Sequence, residues 1–155
     1  EQIYEYFTTD MIYLWLNIGV IPFWLTLIVF PQSNICKYLI TSIFPIIIFA
    51  IIYIYLFFLF YKTGYDFFEN FRLYKGINNL NDLMNNNSFL ILFWIHFLAI
   101  NLFCGSWIVK DSQKFNISKY INFFPLIITY LVGPIGLFIY WMIRIFYAKR
   151  VSLYD

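Results

Sequence analysis

Four stretches of this chain are long, apolar and almost free of charge, and they leave it few ways to fold. They are Met11–Phe30, Tyr38–Tyr61, Phe89–Val109 and Phe123–Phe146. Each holds about 20 residues or more. At a rise of about 1.5 Å per residue, a helix of that length crosses a hydrocarbon core of about 30 Å. Backbone groups in lipid must be satisfied within the segment, so helices are the default. The Ile-rich runs would read as strands in water, but their length overrides that reading. The expected fold class is therefore all-α: an integral membrane bundle of four transmembrane helices with short interfacial helices, forming one membrane domain over residues 1–155.

Composition points the same way. Hydrophobic residues make up 63% of the chain and charged residues 12%, too few to cover a soluble protein of this size. A net charge of +2 with no basic cluster gives no reason to expect a nucleic-acid partner. Cys36 and Cys104 lie in or beside apolar segments and form no CxxC pair, so both read as structural thiols. No cluster of His, Cys or carboxylates provides a metal site, and a single histidine cannot supply both ligands of a bis-histidine haem. The chain starts at Glu1, not Met, which reads as a processed or trimmed chain. Its opening Glu1–Asp10 is acidic and lacks the basic start of a signal peptide.

The connectors differ in kind. Pro31–Lys37 reads as a tight turn. Residues 62–88 form a longer connector. Its first part, KTGYDFFENFRLYKG, interleaves aromatic and charged residues, as a short helix lying in the interface would. Its second part, INNLNDLMNNNS, reads as an Asn-rich loop. Lys110–Asn122 reads as a second interfacial connector. Pro22, Pro45 and Pro134 sit inside the apolar segments, where each removes a backbone donor and should kink its helix. Four spans would put Lys62, Arg72, Lys75, Arg144, Lys149 and Arg150 on one side and Lys37, Lys110, Lys114 and Lys119 on the other. The small excess favours both termini inside. The membrane itself stays open: an organelle inner membrane, a plastid membrane and a bacterial inner membrane all fit.

Polar side chains at membrane depth are costly, so they usually face neighbours and find partners. Asn17, Thr26, Thr41, Ser42, His96, Asn101, Ser106 and Thr129 are of this kind. On the third segment, helical spacing puts Trp94, Leu98, Asn101 and Gly105 on one stripe and His96, Ile100, Phe103 and Trp107 on another. His96 and Asn101 are then about 140° apart and do not face each other. If both were buried, this helix would have to be enclosed on two sides. His96 reads either as a proton donor or acceptor, and so a catalytic candidate, or as a partner in an interhelical hydrogen bond. Asn17 and Asn101 read as interhelical or ligand-binding groups, and Trp94 stands on the Asn101 stripe. Gly133-Pro134-Ile135-Gly136 reads as a thin, kinked patch where another backbone or a ligand approaches closely. No nucleophilic triad, phosphate-binding glycine loop or carboxylate pair occurs in the spans.

Trp94-Ile95-His96, Leu98-Ala99, Leu102-Phe103 and Gly133-Pro134-Ile135-Gly136-Leu137 together resemble the abscisic-acid-deficient-four-like, or neoxanthin-synthase-like, membrane proteins. Those usually read W-I-H, L-A-x-D-L-F and then G-P-x-G-L. Asn17 with Pro22, Trp24 and Pro31 is similar to the first span of that family. The resemblance covers most of the chain and is weakest in the Asn-rich loop. It implies a four-helix integral membrane protein. Plant members are linked to the isomerisation of violaxanthin to neoxanthin, so it also implies a carotenoid ligand. Opening an epoxide to an allenic alcohol needs a proton delivered to oxygen and another removed from carbon. Where the family usually has Asp, this chain has Asn101, which keeps the shape of the acid but cannot exchange a proton.

Two functional readings follow. In one, the chain is a non-catalytic accessory subunit of a larger bioenergetic membrane complex, packing against other membrane subunits, lipids or pigments. In the other, it is a xanthophyll-modifying enzyme or carotenoid binder, with His96 as acid or base and Asn101 orienting the substrate.

Overall fold

The structure, a computed structural model, describes residues 7–149 and 151–152. Glu1–Tyr6, which form most of the acidic opening, and Arg150, which enters the charge balance, lie outside the described residues. Every regular element among the described residues is helical.

Three helices are long and apolar enough to cross a membrane: α1 (Thr9–Val29), α2 (Phe44–Lys62) and α4 (Asn87–Lys114). The fourth apolar stretch is not one helix. It divides into α5 (Lys119–Leu131, 13 residues) and α6 (Gly133–Ala148, 16 residues), each shorter than a span requires. Val132 makes the break with φ −141° and ψ 81°, outside the helical region. Gly136 backs directly onto the backbone of Thr129, so the two helices meet closely across the break.

The prolines act differently from one another. Pro22 lies inside α1, as the sequence implies. Pro45 is the second residue of α2 and Pro134 the second of α6. At a helix start the missing N–H has no intrahelical partner to lose, so these two begin helices instead of kinking them. A proline the sequence reading left aside, Pro125, lies inside α5.

The connectors are more helical than their composition implies. Phe67–Lys75 forms a 3-10 helix whose start is capped by the Asp66 carboxylate, which accepts from Phe68 N. The expected Asn-rich loop is largely α3 (Ile77–Met84). Ile77, Leu80, Leu83 and Met84 recur at helical spacing, and Leu83 is buried, so packing outweighs the poor helix propensity of asparagine. The expected connector Lys110–Asn122 shrinks to Phe115–Ser118, because α4 runs on to Lys114 and α5 begins at Lys119. Asn116 turns the chain at φ 53°, and the Ser118 hydroxyl caps α5 by accepting from Tyr120 N. The turn after α1 leads into a short π-helix, Cys36–Ile40, before α2 begins.

Packing gathers the chain into two compact units. The first holds α1 up to Gly19, together with Ile47–Leu98. In it, Phe57 stacks on Phe67 with ring centroids 3.9 Å apart, and Tyr65 packs edge-on against Phe67. This fastens the 3-10 helix to the end of α2. Burial raises the pKa of the Tyr65 phenol, helped by the nearby Asp66 and Glu69 carboxylates. The second unit holds Val20–Ile46 together with the residues from Ala99 on. There the Trp24 indole covers Gly105 so closely that a Cβ would not fit. The same indole meets Tyr130 edge-on at 5.4 Å.

Candidate functional site

The stripes expected on the third apolar segment appear on α4. Leu98, Asn101 and Gly105 are buried and Trp94 is half-buried, whereas His96, Ile100 and Phe103 are exposed. The enclosure of this helix on two sides, expected if both polar residues were buried, is therefore not found among the described residues. His96, the only histidine, has no hydrogen-bond or ion-pair partner among the described residues.

The structure joins two of the candidate residues in the first unit. Trp94 Nε1 donates to Asn17 Oδ1 at 3.3 Å, and Asn17 Nδ2 donates to the Tyr13 carbonyl one turn back at 2.7 Å. Both ends of the Asn17 carboxamide are thus used, which fixes the indole. Tyr13 lies 5.9 Å from Trp94 at a tilt of 43°, and Phe97 stacks on it at 5.3 Å. A hollow of about 380 Å³ opens beside this pair.

Two more candidates meet in the second unit. Asn101 is 5% exposed, and its Oδ1 lies against Gly133, leaving no room for a Cβ at that position. Its Nδ2 is buried without a partner among the described residues. Gly136 is needed for a different reason, because its neighbour is the Thr129 backbone. Pro134 is exposed and lines an apolar hollow of about 290 Å³ with Trp107, Leu137, Phe138 and Trp141.

The most polar cluster was not anticipated from sequence. Asp111 Oδ2 accepts from Arg144 Nε at 2.7 Å and from Tyr140 OH at 2.6 Å. The Arg144 guanidinium also lies 4.8 Å from the centre of the Phe115 ring and donates to the Ser152 carbonyl at 2.8 Å. The side chains of Arg144 and Asp111 are 2% and 9% exposed. The signal was present: an arginine within an apolar stretch needs a carboxylate. The sequence reading counted Arg144 only toward charge balance and placed Asp111 in a connector.

Cys36 and Cys104 are free thiols, and burial pushes the Cys36 thiol up to about 11. Among the described residues no three His, Cys, Asp or Glu side chains gather within reach of one ion.

A model of the ABA DEFICIENT 4-like family matches residues 11–140. The chain belongs to that family. This ABA DEFICIENT 4-like protein is therefore a membrane protein related to neoxanthin-synthase-like proteins. The match includes both carboxamide contacts, Asn17 with Trp94 and Asn101 with Gly133, and ends four residues short of Arg144. No curated protein and no solved structure matches the chain.

Within this ABA DEFICIENT 4-like chain the two residues most suggestive of chemistry are separated. Asn101 belongs to the buried stripe of α4 and His96 to the exposed one. The Trp94–Asn17 hydrogen bond and the close fit of Asn101 against Gly133 fix packing.

Proposed function

We propose that this protein is a non-catalytic accessory subunit of a larger bioenergetic membrane complex. It would cross the membrane four times, with α5 and α6 together supplying the fourth passage. One observation carries this reading: His96 and Asn101 form no acid–base pair. His96 is exposed and unpartnered among the described residues, and a carboxamide stands where the resemblance implies a carboxylate. Exposed aromatic and aliphatic side chains such as Trp15, Ile54, Phe58, Phe103 and Phe138 leave helix faces for lipids, pigments or other membrane subunits.

The competing reading, a xanthophyll-modifying enzyme or a carotenoid binder, draws on the family match. It requires His96 to move protons alone, from the outer face of α4. The deciding experiment is migration of the endogenous protein in mild detergent, with an absorption spectrum of the peak. Comigration with a large complex, together with full function of His96→Ala, is the expected result. A small carotenoid-coloured species whose conversion activity is lost in His96→Ala would overturn the proposal.

A further inference from the structure

The hollow beside Trp94 has a chemical character that the packing of α1 and α4 does not use. It lies wholly within the first unit, and its walls include Asp10, Tyr13, Asn87, Leu90, Ile91 and Trp94. We propose that it binds the quaternary ammonium headgroup of a phosphocholine lipid.

Three features meet there. The first is a pair of aromatic rings, one of them held in place. Trp94 is pinned by Asn17 and backed by Phe97, and Tyr13 stands beside it on α1. A cation over such faces is attracted by the ring quadrupole, and a quaternary ammonium, with no N–H to satisfy, loses little by leaving water for an aromatic wall. The second is the Asp10 carboxylate, three residues before Tyr13, which has no hydrogen-bond or ion-pair partner among the described residues. Among the described residues it supplies the only formal charge in the lining, so the hollow favours a cation and disfavours a headgroup of net negative charge. The third is polarity that changes with depth. Thr9 and Asn87, the first residues of α1 and α4, add a hydroxyl and a carboxamide to the lining. Leu90 and Ile91 lie further along α4 and offer an apolar wall to the start of an acyl chain. From Asn87 to Trp94 the helix rises about 10 Å, enough to pass through a headgroup layer of about 5–8 Å and reach the start of the hydrocarbon.

Asp10 also lies in the first turn of α1, where a carboxylate stabilises a helix start. That role accounts for the acid but not for the two aromatic rings that line the same hollow. The inference rests on reading the chain as membrane-embedded and does not depend on whether it is a subunit or an enzyme.

The test is native mass spectrometry of the full chain, purified in mild detergent and titrated with phosphatidylcholine, phosphatidylethanolamine and phosphatidylglycerol of matched acyl chains. Phosphatidylcholine is expected to bind about fivefold more tightly than the other two. Asp10→Asn and Tyr13→Leu, both changes at exposed positions, are each expected to remove most of that preference. Equal binding of the three lipids, a preference for phosphatidylglycerol, or a phosphatidylcholine preference unchanged in both variants would overturn the proposal. Should Tyr13→Leu fail to fold, Asp10→Asn decides alone. The preference is expected whether the protein migrates inside a complex or by itself, so this result and the subunit reading stand or fall separately.

Discussion

Arg144 and Asp111 face each other across 2.7 Å in a chain that keeps few charges. The carboxylate stands three residues before the end of α4, and the guanidinium four residues before the end of α6. With both side chains almost fully covered, each charge depends on the other for compensation. Asp111→Ala or Arg144→Met alone should cost about 3–5 kcal/mol, because each leaves an uncompensated buried charge. The double variant should cost clearly less than the sum of the two. Thermal unfolding in detergent, analysed as a double-mutant cycle, checks this; simple additivity would show that the pair is not coupled.

Gly133 and Gly136 should respond unequally to alanine. The new methyl at 136 would meet the Thr129 backbone, which cannot turn aside, and should cost about 1–3 kcal/mol. At 133 it would meet the Asn101 carboxamide, a side chain that can rotate or be removed. Gly133→Ala should therefore be milder and should be largely rescued by Asn101→Ala. Unfolding midpoints of the two single variants and the double variant decide the point, and equal losses at 133 and 136 would contradict it.

Asn122 is 4% exposed, and its Oδ1 has no partner among the described residues. A polar atom in that position costs free energy, so Asn122→Leu should be neutral or stabilising by about 1 kcal/mol. A fall in the unfolding midpoint would show that the carboxamide oxygen does find a partner in the membrane.

Cys36 sets a pH dependence of known sign. Burial favours its neutral thiol, so the folded pKa of about 11 lies above the ordinary value of 9.0. That protonated preference contributes stability below the ordinary value and is lost as the pH rises through the folded one. Iodoacetamide, which reacts with the thiolate, should label Cys36 slowly at pH 8 in the folded protein and rapidly after unfolding. Mapping the labelled peptide by mass spectrometry measures both rates, and equal rates would mean that the site is open.

Much of the α-helical character was legible because length and hydropathy decide it in lipid. The stripes of α4 were legible too, since helical spacing alone separates Asn101 from His96 by about 140°. Which stripe faces the protein was not, because that depends on Trp24 seating itself over Gly105. The α5–α6 break was read as a kink at Gly133-Pro134, but hydropathy cannot show that Val132 leaves the helical region altogether. Helix α3 was missed because asparagine content masked the spacing of Ile77, Leu80 and Leu83. The ion pair was missed because span boundaries were drawn at the last apolar residue, whereas α4 continues a turn beyond, to Lys114.

The break at Val132 also bears on how the chain is made. When Leu131 leaves the ribosome, 13 helical residues of α5 are complete, too few to anchor themselves across a bilayer of about 30 Å. The 16 residues of α6 fall short in the same way. If the two together form the proposed fourth passage, they have to enter the bilayer as a pair, and the close seat of Gly136 on Thr129 is the contact that would join them. On that reading, a nonsense codon anywhere in α6 would leave α5 unanchored, even though every residue before the break was correctly made.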